Sequence, residues 1–270
     1  MTEPLKLMCL FAHPDDETLS TGGILCKYAA EGIQTYLVCA TRGERGWTGK
    51  PEDDPGPQKL GQIRELELRC AGEMLGLKEI ILLDYIDGQL DQASPVEATG
   101  KIVQALRRIR PQVVVTMDPQ GIYGHPDHIA MTQFAQAAIV LAASPVAAPL
   151  DPPPHIVSKL YLVAETSASL EGYSYGFGGD IHMTVDGVER VPNAWRDWEV
   201  SAVIDTTPYW EQVLRAMACH KSQLPDLERF QDMPQHYGPQ AWGLRTYYRA
   251  FSLVNGGREK ETDLFAGLRS

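Results

Sequence analysis

Apolar runs of strand length alternate with longer segments of helical periodicity through the first half of this sequence. Such alternation is typical of a parallel sheet, because a parallel strand needs a long crossover connection to reach its neighbour. We therefore predict an α/β fold whose mostly parallel sheet carries helices on both faces. The strand-like runs are 5–11, 35–41, 80–83 and 113–117, and the helical segments are about 19–30, 60–75, 95–109 and 126–141.

The second half of the chain is less regular. Residues 166–198 hold scattered aromatic side chains among glycines, which indicates an insertion that either covers a pocket or forms a subunit contact. We predict one domain of residues 1–270 containing this insertion, with monomer and homo-oligomer both left open. The other elements expected here are strands at 159–164 and 245–254, a β-hairpin at 182–191 with a turn at Asp186-Gly187, and a helix at 208–219 with proline in its first turn.

Net charge and cysteine content limit which partners and which cellular compartment are expected. The formal net charge of -11 repels phosphate backbones, so nucleic acid is not expected as a partner. Five cysteines, an odd number without CxxC spacing, predict reduced and mostly buried thiols in a cytoplasmic protein. Neither a signal peptide nor an apolar stretch of about 18 to 20 residues is apparent, so a membrane partner is not expected either.

Two short motifs share the order His, Pro, Asp and then a side chain that binds metals. The first motif is His-Pro-Asp-Asp-Glu at residues 13–17, and the second is Tyr-Gly-His-Pro-Asp-His at residues 123–128. Each motif follows a strand-like run and opens a helical segment. Open α/β sheets build their sites at this transition, because the carboxyl ends of parallel strands meet at one edge.

Both motifs predict metal-binding side chains at a helix start. If Pro14 is the first helical residue, His13 is the N-cap and Asp16 is the third helical residue, close enough to share one cation. Asp15 then points elsewhere, free to contact a water on that cation. In the second motif His125 caps the helix and His128 takes the third position, and one or both histidines complete the site. Two histidines and one carboxylate with open positions are typical of a catalytic metal.

Other interpretations compete with a catalytic metal. Acidic residues at a helix start also interact favourably with the helix dipole, so either motif alone is explained as well by local structure. The pair, each after a strand, favours the metal. A non-haem iron oxygenase uses the same ligand types but normally on a β-barrel. A metal-stabilised sugar-binding module has no need of Asp15, His125 and Tyr123 beside the ligands, because binding alone requires neither acid nor base.

The remaining polar candidates are weaker when taken singly. Glu44 and Asp87 are typical of solvated loops, and Arg64 is typical of a charged helix surface. Tyr123 by itself is more often a packed loop aromatic than a catalytic donor. His220, in the segment Cys-His-Lys-Ser-Gln at 219–223, fits an ordinary helix C-terminus.

The two motifs resemble those of the LmbE-like, or PIG-L, family of metal-dependent N-deacetylases, and the resemblance extends over roughly the first half of the chain. The resemblance implies a Rossmann-like fold and a zinc ion, with Fe²⁺ as the other cation considered. It further implies Asp15 as general base and His125 as its protonated partner. The implied metal ligands are His13, Asp16 and His128.

The activity implied by this resemblance is removal of an N-acetyl or related N-acyl group from a small sugar substrate containing glucosamine. Tyr123 or His125 would stabilise the oxyanion, and Asp127 would orient His125. An amidase acting on a larger sugar conjugate is the alternative. The substrate-binding candidates are Arg64, Asp87 and Glu44.

Overall fold

The computed structural model describes residues 3–146, 152–223 and 243–269. Its strands are β1 (Lys6–Phe11), β2 (Gln34–Thr41), β3 (Leu77–Tyr85), β4 (Val113–Thr116), β5 (Lys159–Val163), β6 (Met183–Val185), β7 (Val188–Arg190), β8 (Ala202–Asp205) and β9 (Leu244–Ser252). Its helices are α1 (Asp16–Ala30), α2 (Pro57–Leu75), α3 (Pro95–Ile109), α4 (a single turn, Gly121–Gly124), α5 (Pro126–Ala143), α6 (Ser167–Phe177) and α7 (Trp210–Met217).

Seven strands form the central sheet in the order β3-β2-β1-β4-β5-β9-β8. Strands β1 to β5 pair in parallel, and β9 and β8 close one edge in antiparallel orientation. Helices pack on both faces, with α1, α2 and α7 on one and α3 and α5 on the other. The predicted α/β fold with a mostly parallel sheet is confirmed.

The central strand β1 shows why the apolar runs form this sheet. Leu7, Cys9 and Phe11 belong to the core under α1, whereas Met8 and Leu10 belong to the core under α3 and α5. All five side chains are completely buried. A parallel strand that is covered on both faces reads as a continuous apolar run, which is the pattern seen in the sequence.

The predicted elements lie within a few residues of the observed ones, but three elements were missed. Helix α6 lies inside the segment expected to be irregular, α4 is a single turn that overlaps the start of the second motif, and β8 is a four-residue strand that pairs with β9. The predicted hairpin is present as β6 and β7. Its turn residues Asp186 and Gly187 both have positive φ, 53° and 73°, as this tight hairpin turn requires.

The expectation of five reduced cysteines is wrong for one pair. Cys70, at the exposed side of α2, forms a disulfide with Cys219, which follows α7. The two residues are 149 positions apart, so sequence spacing carried no signal of their proximity. Cys9, Cys26 and Cys39 are free and buried, as expected. Among the described residues, no helix has the length and apolar character needed to cross a membrane.

Candidate metal and catalytic site

The site lies where the strand order of the sheet reverses. The chain runs outward from β1 through β2 to β3, and then returns to place β4 on the other side of β1. The loops that follow β1 and β4 diverge at this point and leave a crevice between them. Residues 13–17 follow β1 and residues 123–128 follow β4, so the two motifs meet there.

The first motif starts its helix later than predicted. Helix α1 begins at Asp16 rather than Pro14, because Asp15 has a left-handed backbone with φ 104°. The predicted approach of His13 and Asp16 is nevertheless present. Asp16 Oδ2 accepts a hydrogen bond from the His13 backbone N–H at 2.8 Å and lies 3.7 Å from His13 Nδ1.

The second motif forms the predicted helix start. Helix α5 begins at Pro126, and His125 is its N-cap, with Nδ1 accepting from the Asp127 backbone N–H at 3.1 Å. His128 occupies the third helical position. Its Nδ1 lies 3.3 Å from the carbonyl oxygen of Gly121, which leaves Nε2 facing the first motif.

Three side chains from the two motifs bring their ligand atoms together. His13 Nδ1 lies 3.1 Å from His128 Nε2, and His128 Nε2 lies 3.4 Å from Asp16 Oδ1. A tetrahedral zinc ion with bonds of about 2.0 Å spaces its ligands roughly 3.3 Å apart, so this cluster fits a divalent cation. His13, His125 and His128 also converge within 4.8 Å. Geometry alone therefore leaves the third ligand open between Asp16 and His125.

Two carboxylates hold the opposite side of the His13 ring. His13 Nε2 lies 3.1 Å from Asp87 Oδ1 and 3.2 Å from Asp127 Oδ2. Burial opposes charge on His13, but hydrogen bonds to Asp127 and Asp87 outweigh it and raise the His13 pKa well above its usual value. A carboxylate on one ring nitrogen fixes the tautomer that presents the other nitrogen to a metal.

Asp87 and Asp127 both contact other groups of the site. Asp87, expected to bind sugar hydroxyls, is buried against His13, and its other oxygen accepts from the Arg45 backbone N–H. Asp127, expected to orient His125, contacts that ring through its backbone N–H. Its carboxylate faces His13 and accepts from the backbone N–H groups of Gly88 and Leu90. Sequence spacing could not show which histidine each carboxylate faces.

Asp15 is a half-buried carboxylate beside the ligand cluster. Burial raises its pKa to about 6, although the nearby Arg64 guanidinium opposes that rise. Arg64 donates to Asp15 Oδ2 at 3.1 Å and to the carbonyl oxygens of Pro14 and Gly43 at 2.6 and 2.8 Å. Arg64 is 3% exposed, so its guanidinium holds together the loops that carry Pro14 and Gly43. It does not face the pocket, whereas the predicted sugar contact required that it should.

His125 and Tyr123 supply two further polar groups. Burial, together with charge on His13 and His128, lowers the His125 pKa to about 3. The ring is therefore neutral, in contrast to the protonated partner expected from the resemblance. Since Nδ1 accepts a hydrogen bond, the proton of the neutral ring resides on Nε2. Burial raises the pKa of Tyr123, so its hydroxyl keeps its proton and remains a donor.

A cavity of about 360 Å³ adjoins these residues. Its lining includes Asp15, Asp16, Tyr123 and His128. The insertion also contributes to the lining, through Leu170 and Tyr173 of α6, residues 180–183 and Pro192. This segment therefore covers a pocket, one of the two roles expected for it.

The remaining predicted sugar ligand, Glu44, is half-buried and does not line the cavity. Among the described residues its Oε2 has no hydrogen-bond partner. Two residues that were given no role, Glu17 and His220, form a buried pair with Oε1 and Nε2 2.9 Å apart. Glu17 stands inside the first motif and His220 in the segment at 219–223, but they lie 203 positions apart, so sequence carried no signal that they touch.

Comparison with known protein families supports the resemblance carried by the motifs. A family model described as PIG-L, GlcNAc-PI de-N-acetylase, matches residues 8–139, a range that includes both motifs. A relative from Salinispora arenicola (strain CNS-205), described as 1D-myo-inositol 2-acetamido-2-deoxy-alpha-D-glucopyranoside deacetylase, is 32% identical. The match covers 97% of this chain and 91% of that protein.

Solved structures share the fold. A conserved protein from Thermus thermophilus is 27% identical with a TM-score of 0.65, covering 93% of this chain and 97% of its own. The 4-carboxy-2-hydroxymuconate hydratase from Pseudomonas putida KT2440 has a TM-score of 0.67, covering 94% of this chain and 99% of its own, but at 19% identity it shows the fold alone. Because the Salinispora relative is similar along nearly its whole length and the family model spans both motifs, this chain belongs to the PIG-L family.

Proposed function

We propose that this chain is a metal-dependent hydrolase that removes the N-acetyl group from a small substrate containing N-acetylglucosamine. The observation that carries the proposal is the convergence of His13, Asp16 and His128 beside the half-buried Asp15 carboxylate, next to a cavity that Asp15, Asp16 and His128 help to line. The Salinispora relative acts on an inositol-linked 2-acetamido sugar, so this chemical class is the first to test.

His13, Asp16 and His128 are the proposed metal ligands, and zinc is the proposed ion. The set contains two imidazole nitrogens and a carboxylate oxygen, which suits zinc and also ferrous iron. When bound, the ion would lower the pKa of the attacking water and polarise the acetamide carbonyl. Asp16 is preferred over His125 as third ligand because Nδ1 of His125 already accepts the helix-capping hydrogen bond.

Asp15 is the proposed general base. It accepts a proton from the attacking water as a bond forms between the water oxygen and the acetamide carbon. A pKa of about 6 lets the same carboxyl return that proton to the amine nitrogen as the carbon–nitrogen bond breaks. The products are the amine and acetic acid, which retains the second proton of the water and releases it on ionising to acetate. Atoms and protons therefore balance with one residue in both roles.

The neutral His125 ring and the Tyr123 hydroxyl are the proposed donors to the oxyanion. Both retain a proton in this site, on Nε2 of His125 and on the phenol of Tyr123. Donors that already point into a buried site stabilise developing negative charge without reorganising. Glu44 is given no sugar contact in this proposal, because it does not line the cavity and its Oε2, unpartnered among the described residues, is buried.

The test is release of free amine by metal-stripped protein with and without added zinc. The panel contains the inositol-linked 2-acetamido sugar, N-acetylglucosamine and N,N'-diacetylchitobiose, with the matched free amines as standards. We expect zinc-dependent release from at least one compound. Release from larger acylated sugar conjugates only would make the chain an amidase of broader substrates. No amine from any compound, with zinc shown to be bound, would refute the proposal.

A further inference from the structure

We propose that the buried pair Glu17–His220 is a positioning device for Asp15, holding the backbone of that residue so that its carboxylate faces the pocket. The inference rests on the proposed role of Asp15 as base. Neither Glu17 nor His220 lines the cavity, so both act through Asp15 rather than on the substrate.

The backbone of Asp15 needs such support. Asp15 is a non-glycine residue at φ 104° and ψ -29°, a conformation that L-residues rarely adopt and that persists only where the surroundings impose it. Its carbonyl oxygen accepts from the backbone N–H groups of Thr18 and Leu19, both at 3.0 Å. Its own N–H has a side-chain partner, Glu17 Oε2, at 3.0 Å.

Glu17 is held in place in turn by His220. The Glu17 side chain is completely buried, and its Oε1 accepts from the Thr18 hydroxyl and lies 2.9 Å from His220 Nε2. His220 is 1% exposed. A buried carboxylate that loses its main partner is costly to keep in place, so without His220 we expect Glu17 to rotate and release the Asp15 N–H.

The segment that carries His220 is fastened to α2. Cys219 is bonded to Cys70 of α2, and Ser222 donates to both carboxylate oxygens of Glu67 at 2.8 and 2.7 Å. The same helix carries Arg64, which contacts the Asp15 carboxylate. Helix α2 therefore supports the side chain of Asp15 directly. It supports the Asp15 backbone indirectly, because His220 contacts Glu17 and Glu17 contacts the Asp15 N–H.

The first test compares His220→Leu with His220→Gln. Leucine removes the donor to Glu17, and we expect kcat to fall about 10- to 100-fold, with KM and bound zinc unchanged within about twofold. Glutamine places an amide N–H near the Nε2 position and should restore most of kcat. His155→Leu is the matched control, since His155 is also buried but bonds the Pro111 carbonyl oxygen outside the site. It should leave kcat of the folded protein unchanged.

The decisive test is a double-mutant cycle with Asp15→Asn. If His220 acts through Asp15, His220→Leu should cost less than about twofold in kcat once Asp15 is asparagine, because effects on one unit are not additive. If His220→Leu lowers kcat in the Asp15→Asn variant as much as it does in the wild-type protein, the positioning role is refuted. If His220→Leu does not fold, Glu17→Gln takes its place in the same cycle. Full turnover by Asp15→Asn alone would instead refute Asp15 as base, which keeps the two proposals separable.

Discussion

At the scale of single residues, Asp15 shows how the surroundings determine what a side chain can do. The same carboxylate on a solvated loop would be ionised at any physiological pH. Here burial raises its pKa to about 6, and Arg64 limits the rise. A carboxyl with that pKa exchanges protons readily near neutrality, which is the property that a general base needs.

We predict that Asp15→Asn lowers kcat roughly 10²- to 10⁴-fold, because the amide cannot accept the proton of the attacking water. Asp15 is not one of the proposed zinc ligands, so the variant should bind the same amount of zinc per protein chain. Initial rates of amine release and metal analysis of the same protein sample check both statements. Loss of zinc together with activity would show instead that Asp15 helps to bind the metal.

We predict an acidic limb near pH 6 in the profile of kcat/KM against pH. The base works when ionised, so activity is full above the pKa of Asp15 and falls as the pH drops through about 6. Arg64→Leu removes the positive charge that lowers this pKa, so its limb should move to higher pH. Bound zinc is measured at each pH, because protonation of His13 competes with the metal. A limb unmoved by Arg64→Leu would contradict the assignment.

At the scale of elements, the site depends on which loops surround His13. His13 itself lies in the loop after β1. Its carboxylate partners come from the loop after β3 and from the first turn of α5. The nitrogen that faces it belongs to His128, the third residue of α5. Parallel pairing of these strands delivers all of these loops to one sheet edge. Asp87 and Asp127 thereby contact the His13 ring, and neither lines the cavity.

We predict that Asp127→Asn weakens zinc binding about 10- to 100-fold, because it weakens the contact that fixes the His13 ring. His128→Ala, which removes a proposed ligand, should abolish zinc retention altogether. Competition with a metal chelator measures both affinities, and Glu189→Gln on the exposed hairpin serves as the matched acidic control. Unchanged zinc affinity in Asp127→Asn would show that the ring orientation does not depend on this carboxylate.

At the scale of the whole molecule, long-range contacts join the C-terminal half to the site. Helix α6 is an example, since its sequence contains glycines and aromatics that form helices poorly. It is stabilised by a capping box at Thr166 and Ser169 and by packing of Tyr173, whose hydroxyl donates to the Leu19 carbonyl oxygen at 2.7 Å. Tertiary contacts override weak local preference here, which is why the helix was missed.

The Cys70–Cys219 bond is another such contact and yields a whole-molecule prediction. We expect three free thiols, not five, when unreduced protein is unfolded and titrated with a thiol reagent. Because the bond closes a loop between residues 149 positions apart, Cys70→Ser should also lower stability, by about 2–4 kcal/mol in denaturant unfolding. Five titratable thiols in unreduced protein would show that the two cysteines lie close together without forming the bond.

The sequence by itself determined the sheet class, the order of strands and helices in the first half, and the two motifs at strand ends. These features depend on local periodicity and on residues adjacent in the chain, such as His125, Pro126 and His128 at the start of α5. The direction in which Arg64, Asp87 and Asp127 point, the Cys70–Cys219 bond and the Glu17–His220 pair were decided only by the tertiary structure. Each of these depends on a partner supplied by a different loop or helix, and residue types and spacings along the chain do not specify which side chains packing will bring into contact.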